Sequence, residues 1–240
     1  MKAILLAAGR GERMRPLTDR VPKALLPVHG KALIEWHLVA LARAGVREVV
    51  VNTAWLEEQI VQQLGDGSRY GLRIVYSLEG RDHGGALETA GGLKKALPLL
   101  TEGGECGAFW YVAADVFAPQ FEFDSEHVLR FERSSLLGQL WMVPNPPQHR
   151  QGDFGIGAGL ALANGADAQA QRFTWSGVAL FRPEFVTTLM TGLALGTHAK
   201  LRPYLDAAIM QRRLGAQMLG VPWADVGTPQ RLEELNLAGA

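Results

Sequence analysis

Two glycines leave the first apolar run of the chain. Lys2-Ala3-Ile4-Leu5-Leu6-Ala7 is followed by Ala8-Gly9-Arg10-Gly11-Glu12-Arg13-Met14-Arg15-Pro16-Leu17-Thr18. A near-continuous apolar run of this length reads as a strand covered on both faces, and so as part of a parallel sheet. A glycine loop at its end lets backbone N–H groups approach phosphates, because no Cβ stands in the way. Arg10, Arg13 and Arg15 add charge, and a guanidinium can grip two phosphate oxygens at once. Two familiar loops are excluded. The Walker A spacing is absent, and a dinucleotide fingerprint needs a third glycine where Met14 stands. Gly-x-Gly alone suits a tight turn with solvated arginines; three arginines shift the reading toward phosphate.

The rest of the first half repeats a strand–helix rhythm. Strands are expected at 2–7, 48–52, 72–78 and 108–116. Helices are expected at 31–44, 55–64 and 87–97, the last closed by Pro98. The second half is less regular, with helices at 125–133, 183–190, 201–213 and 228–237 and strands at 136–143, 172–181 and 217–222. The stretch 144–159 is rich in Pro, Gly and polar residues and reads as loop. Residues 144–171 read as an insertion within one domain. The pattern is βαβ, giving an α/β fold with a mixed, mostly parallel sheet flanked by helices.

Composition narrows the function. At 240 residues the chain buries enough surface to fold as one domain without disulfide or metal staples. Lys+Arg and Asp+Glu number 24 each, so no basic face for nucleic acid is expected. The single cysteine, Cys106, cannot form an internal disulfide. The opening apolar run ends in charged residues, not a cleavage site, so it reads as a strand and not a signal peptide. No membrane span is expected, and the location expected is the cytoplasm. Val21-Pro22-Lys23-Ala24-Leu25-Leu26-Pro27-Val28 sets Lys23 on a backbone stiffened by prolines. Alone, Lys23 reads as a surface lysine.

Together, G-x-G-x-R-M-x-P-L-T and P-K-x-L-x-P-V resemble the sugar-phosphate nucleotidyltransferases, which join an NTP to a sugar 1-phosphate and release pyrophosphate. Glu12, Asn52-Thr53-Ala54-Trp55-Leu56, the segment 64–71, Leu87-Glu88-Thr89-Ala90-Gly91-Gly92 and Asp225-Val226-Gly227-Thr228 resemble the subgroup of uridylyltransferases acting on N-acetylmuramate 1-phosphate in cell-wall recycling. The resemblance implies a nucleotide-diphospho-sugar transferase fold of GT-A-like, Rossmann type. Residues 1–117 would form the nucleotide-binding half and 118–240 the sugar-binding half of a single domain.

It also implies roles. Arg13 and Lys23 would neutralise phosphate charge during transfer. Ala7, Ala8, Gly9, Gly11, Glu88 and Thr89 would bind the nucleotide, and Asn52 and Gly177 the sugar. Asp115 and Asp225 would hold Mg²⁺, which takes carboxylate, phosphate and water oxygens. Read without the resemblance, each acid is a cap or turn residue. Thr89 equally suits a helix cap, Gly177 a strand bulge and Trp55 the core. Ala113-Ala114 precede Asp115 where relatives usually carry an amide, and alanine offers no such contact. Glu79–Ala86 reads as a long loop and a candidate flap, with His83 a solvated loop histidine. The expected partners are small molecules, an NTP and a sugar 1-phosphate. The competing readings are a guanylyl- or thymidylyltransferase for mannose or glucose 1-phosphate, and a non-catalytic sugar-nucleotide sensor.

Overall fold

The structure, a computed structural model, describes residues 1–103, 107–163 and 171–238; Cys106 lies outside them. The first strand, β1 (Lys2–Leu6), shows how the sequence makes layers. Its side chains alternate between two faces. Ala3 and Leu5 join one buried cluster, while Ile4 joins another. A strand buried on both faces needs a helical layer on each side, and the chain supplies both.

A small ladder of β2 (Pro27–Val28) and β3 (Lys31–Ala32) leads into helix α1 (Leu33–Arg43). Strand β4 (Glu48–Thr53), helix α2 (Glu57–Leu64) and strand β5 (Arg73–Leu78) follow. The short helix α3 (Glu79–His83) and the long helix α4 (Glu88–Thr101) lead to β6 (Phe109–Ala113) and β7 (Val116–Phe117). Helix α5 (Ser125–Glu132) precedes β8 (Gly138–Val143), β9 (Phe154–Gly157), β10 (Leu160–Leu162) and the long β11 (Arg172–Phe181). Helices α6 (Pro183–Leu189) and α7 (Arg202–Met210), strands β12 (Leu214–Met218) and β13 (Ala224–Asp225), and helix α8 (Pro229–Leu237) complete the order.

One nine-stranded sheet runs β5-β4-β1-β6-β11-β8-β12-β10-β9. Its first four strands are parallel to one another. β11 enters antiparallel to both β6 and β8, so the second half is mixed. Apolar stripes of α1, α2 and α5 cover one face and those of α4, α6 and α7 the other. The order matters for function. From β1 the chain steps outward to β4 and β5, then crosses back to β6 on the other side. Open α/β sheets bind ligands at such a switch point, outside the carboxyl ends of the strands.

Several expected boundaries are corrected. Helix α4 does not stop at Pro98 but runs to Thr101. Pro98 is exposed on its outer side, where a lost backbone bond meets water, and buried Leu100 anchors the final turn. The strand expected at 108–116 ends at Ala113; Ala114 and Asp115 form a turn into β7. The strand expected at 217–222 is β12, placed earlier because Leu214 and Ala216 are the residues that reach the core. The stretch 144–159 is not all loop, since β9 pairs with both β10 and β11. Residues 79–83 form α3 and not a loop.

Gly177 sits at the irregularity of β11, with φ +83°. A Cβ there would lie 2.8 Å from the Ala113 Cβ, so glycine lets β11 cross close to β6.

Candidate active site

A cavity of about 610 Å³ opens at the carboxyl ends of β1 and β6. The glycine loop, Lys23, Asn52, Ala86, Glu88, Thr89, Tyr111, Ala113, Ala114, Asp115, His198 and Gly227 line it. The structure thus brings together Ala7, Ala8, Gly9, Gly11, Arg13, Lys23, Asn52, Glu88, Thr89 and Asp115, which the sequence analysis singled out.

The glycine loop is held from below. Gly11 has φ +68°, and its missing Cβ would press on Thr18 and Lys23. The Thr18 hydroxyl donates to the Gly11 carbonyl at 2.9 Å, and the Trp55 indole N–H donates to the Thr18 carbonyl at 2.8 Å. Arg10 lies over the Trp55 ring at 4.1 Å. Trp55 therefore supports the loop from outside the cavity lining. The three loop arginines differ. Arg10 lies near Glu12 and Asp19, and Arg15 pairs with Asp19 at 2.9 Å. Among the described residues, Arg13 alone of the three has no ion-pair partner, and it faces the cavity.

Lys23 is buried, not a surface lysine. Its ammonium lies 2.7 Å from Asp115 Oδ2, on a carboxylate whose side chain is 45% exposed. Asp115 is placed by its backbone neighbours. Ala114 N–H donates to the Leu6 carbonyl at 3.0 Å, and Val226 N–H donates to the Asp115 carbonyl at 3.2 Å. Behind the turn, buried His37 donates from Nε2 to the Val116 carbonyl at 2.8 Å. Burial lowers the His37 pKa to about 4, overriding the opposing pull of that bond and of Asp115.

Asp225 is not on the cavity wall. β13 pairs it with Val116, the residue that follows Asp115. Its carboxylate is bound by Arg231 at 2.5 Å and borders a separate depression with Trp223 and Asn145. Only Gly227 of that segment reaches the main cavity. Gly177 likewise lies outside the lining.

Metal fit rests on the donor set. Among the described residues no cluster of three or more His, Cys, Asp or Glu forms a protein-only cage. The accessible Asp115 carboxylate supplies hard oxygen donors at the cavity, and that of Asp225, on the strand paired with Val116, is held by Arg231. That set suits a cation that draws its other ligands from phosphates and water.

Sequence reasoning missed the residue that ties the site together. Glu79 is fully buried. Its Oε1 accepts from Asn52 Nδ2 at 2.7 Å and its Oε2 from Leu87 N–H at 2.7 Å. Asn52 Oδ1 in turn accepts from Ala7 N–H at 2.8 Å. Both polar atoms of Asn52 are therefore engaged, leaving one Nδ2 hydrogen for a ligand. Burial raises the Glu79 pKa against the pull of these two donors. Its signal in the sequence was an acid at the carboxyl end of an apolar run in a parallel sheet. Glu88 takes φ +63°, a left-handed conformation for a non-glycine residue at the cavity edge. The Thr89 hydroxyl accepts from Leu201 N–H at 2.9 Å, and its own proton remains to donate.

The family described as Nucleotidyl transferase matches residues 2–158. An N-acetylmuramate alpha-1-phosphate uridylyltransferase of Neisseria meningitidis serogroup B is 45% identical over 249 residues, covering 100% of this chain and 99% of its own. The enzyme of that description from Caulobacter vibrioides is 48% identical over 103 residues, 42% of this chain and 41% of its own. A solved Bacillus anthracis chain, assigned as a glucose-1-phosphate thymidylyltransferase and bound to sucrose, matches with TM-score 0.78 at 18% identity, covering 99% of this chain and 94% of that one. That likeness supports the fold. No helix among the described residues is long and apolar enough to cross a membrane.

Two outcomes follow from these contacts. Asn52→Ala leaves the Ala7 N–H with only the residue 52 carbonyl, at 3.1 Å, and leaves buried Glu79 Oε1 without its donor, so that the carboxylate keeps only the Leu87 N–H. Unfolding in urea should show a loss of about 2–3 kcal/mol; a loss below about 0.5 kcal/mol would contradict the network. The second concerns pH. The unfolded chain protonates His37 near pH 6.5, whereas the folded chain resists until about pH 4. Stability therefore falls as pH drops through that window, by up to about 3 kcal/mol. His37→Gln, which keeps a donor for Val116, should flatten that part of the stability profile.

Proposed function

This chain belongs to the nucleotidyl transferase family, and on that premise we propose that it transfers a uridylyl group from UTP to N-acetylmuramate 1-phosphate. The products are the UDP-sugar and pyrophosphate. The observation that carries the reading is the end-to-end match to the Neisseria enzyme. The cavity agrees with it in chemistry. A glycine loop, one unpaired guanidinium and one buried ammonium meet where three phosphates need neutralising. A role in cell-wall recycling in the cytoplasm goes with this substrate pair.

The transfer needs no protein nucleophile. A phosphate oxygen of the sugar 1-phosphate attacks the α-phosphorus of UTP. The bond from that phosphorus to the oxygen bridging toward the β-phosphorus breaks, and the electron pair leaves with pyrophosphate. Holding both reactants in line can lower the barrier by about 7–11 kcal/mol. Arg13, free of acid partners, binds the charge that builds on the phosphates. Lys23 adds a fixed positive charge at the Asp115 end of the cavity.

Nucleotidyltransferases of this family generally use a divalent metal. Mg²⁺ is proposed here, with Asp115 and Asp225 as its protein ligands. Such an ion would supply further positive charge at the transferring phosphoryl group. The parts this chain contributes are the carboxylates and their present partners, Lys23 and Arg231.

Base selection is assigned to the backbone near Ala7–Gly9 and to the Glu88–Thr89 turn. Uracil presents N3–H as a donor and O4 as an acceptor, and cytosine inverts both. Each polar group left unpaired in a buried site costs about 1–3 kcal/mol. Thymine adds only a methyl group.

Turnover of four NTPs with a panel of sugar phosphates tests the reading. The expected order is UTP, dTTP, CTP, then ATP and GTP. A preference for GTP moves the chain to guanylyl transfer, and no pyrophosphate with any pair favours a non-catalytic sensor. Lys23→Ala should lower kcat/KM at least about 100-fold while leaving the fold intact by circular dichroism. An unchanged rate would remove Lys23 from the chemistry.

A further inference from the structure

Two walls of the cavity come from different parts of the chain. Ala7 to Met14 leave β1 as the glycine loop, while Ala86, Glu88 and Thr89 lead into α4. Among the described residues no hydrogen bond joins these walls directly. They are joined through three bonds in series. Ala7 N–H donates to Asn52 Oδ1 at 2.8 Å, Asn52 Nδ2 donates to Glu79 Oε1 at 2.7 Å, and Leu87 N–H donates to Glu79 Oε2 at 2.7 Å.

Glu79 is a poor choice for packing alone. It is fully buried, and among the described residues it has no ion-pair partner. A carboxylate buried without a counter-charge is unfavourable, and an apolar side chain would fill the same space without that penalty. An amide does not replace it either. Both groups that face it are N–H donors. A glutamine offers one acceptor and one donor, so one of the two would meet a second donor. A carboxylate presents two acceptors.

The backbone around Glu79 is clamped on both sides. The Leu78 carbonyl accepts from Lys95 Nζ on α4 at 3.0 Å, and Arg81 N–H donates to Glu57 Oε1 on α2 at 2.8 Å. A Cβ at Gly80 would lie 2.6 Å from the Ala54 carbonyl oxygen, and one at Gly92 would lie 2.5 Å from Glu79 Oε1. The start of α3 is therefore pressed between the β4–α2 connection and α4, and the carboxylate has no room to shift.

Resting on the nucleotide reading above, we propose that Glu79 is a positioning residue: its carboxylate fixes the spacing between the glycine loop and the Glu88–Thr89 turn, so that one nucleotide engages both. Glu79 does not line the cavity and acts only through Asn52 and Leu87. A ligand that bridges two subsites gains from both only where their spacing matches its own. Each wall also has local support that does not pass through Glu79. The Thr18 hydroxyl holds the Gly11 carbonyl, and the Thr89 hydroxyl holds Leu201 N–H. Loss of the strap leaves both walls standing and removes the match between them.

The test separates the subsites. Binding of UTP and of inorganic tripolyphosphate, which has the phosphates and no base, is measured by calorimetry with magnesium present. The proteins are the parent, Glu79→Gln, and the double variant Asn52→Asp with Glu79→Gln. The double variant rebuilds the strap with donor and acceptor exchanged. The new carboxylate at 52 accepts from Ala7 N–H and from the amide at 79, whose oxygen accepts from Leu87 N–H. In Glu79→Gln the advantage of UTP over tripolyphosphate should fall about 10-fold or more, with tripolyphosphate itself within about threefold of the parent. The double variant should regain most of that advantage. An unchanged ratio overturns the proposal. So does an equal loss for both ligands, which marks a purely structural role, or a double variant that regains nothing. If Glu79→Gln does not fold, Asn52→Ala cuts the same strap and is read in the same way. A parent protein that binds another NTP more tightly than UTP overturns the uridylyl reading alone, and the ratio is then taken with that nucleotide. A parent that binds no NTP more tightly than tripolyphosphate overturns both.

Discussion

Glu79 holds two segments that would otherwise have no reason to meet. One oxygen takes the amide of Asn52, which carries the start of the glycine loop through Ala7. The other takes the Leu87 N–H at the entrance to α4. The carboxylate thus spaces the phosphate loop from the turn assigned to the base. Burial works against its charge, and a buried carboxylate is tolerable only while its donors are in place. The cost of breaking any one link is therefore larger than one hydrogen bond. Gly92 is part of the same constraint. A Cβ there would lie 2.5 Å from Glu79 Oε1 and 2.7 Å from Asn52 Nδ2, so only glycine lets α4 pass over the network.

A second constraint is electrostatic. Without bound anions, most charged groups near the cavity are matched by internal partners. Lys23 sits on Asp115, Arg231 on Asp225, and Arg15 on Asp19. The chain's net charge of zero has this local counterpart. The exception among the described residues is Arg13, a guanidinium on the cavity wall with no ion-pair partner. Asp225, by contrast, pairs with Val116, the residue after Asp115, but its carboxylate is turned to Arg231. Its participation in a shared metal site requires an exchange of partners, with phosphate or metal taking the place of the guanidinium.

The layered fold was readable because short continuous apolar runs and stripes of period 3.6 alternate through the first hundred residues. β1 and β4 are apolar on both faces, and α1 and α4 carry single apolar stripes. The glycine loop on the cavity wall was readable for a related reason: glycines, arginines and prolines at fixed spacing constrain the backbone locally. What escaped was set by distant contacts. Pro98 looked like a helix stop, but its missing N–H faces solvent and Leu100 is buried. β9 hid in a polar stretch because its pairing with β10 and β11 depends on partners that local composition does not reveal. Glu79 and His37 look unremarkable along the chain; their roles exist only once β4, α4 and β7 are adjacent. Asp225 was found by resemblance, and resemblance gave no account of Arg231.

This division has a physical source in the sheet itself. The four parallel strands β5, β4, β1 and β6 bring glycine loop, Asn52 and Asp115 to one edge by regular crossovers, and local patterns encode such crossovers well. Beyond β6 the sheet continues through antiparallel β11, whose bulge at Gly177 lets it cross close to Ala113 without entering the cavity. The segment that follows α6 then returns across the sheet to α4 and brings His198 to the opening. The residues proposed for phosphate chemistry thereby sit on the regular half of the fold. An irregular connection clamped onto α4 completes the cavity wall, a part free to vary in sequence without disturbing the crossovers of the sheet.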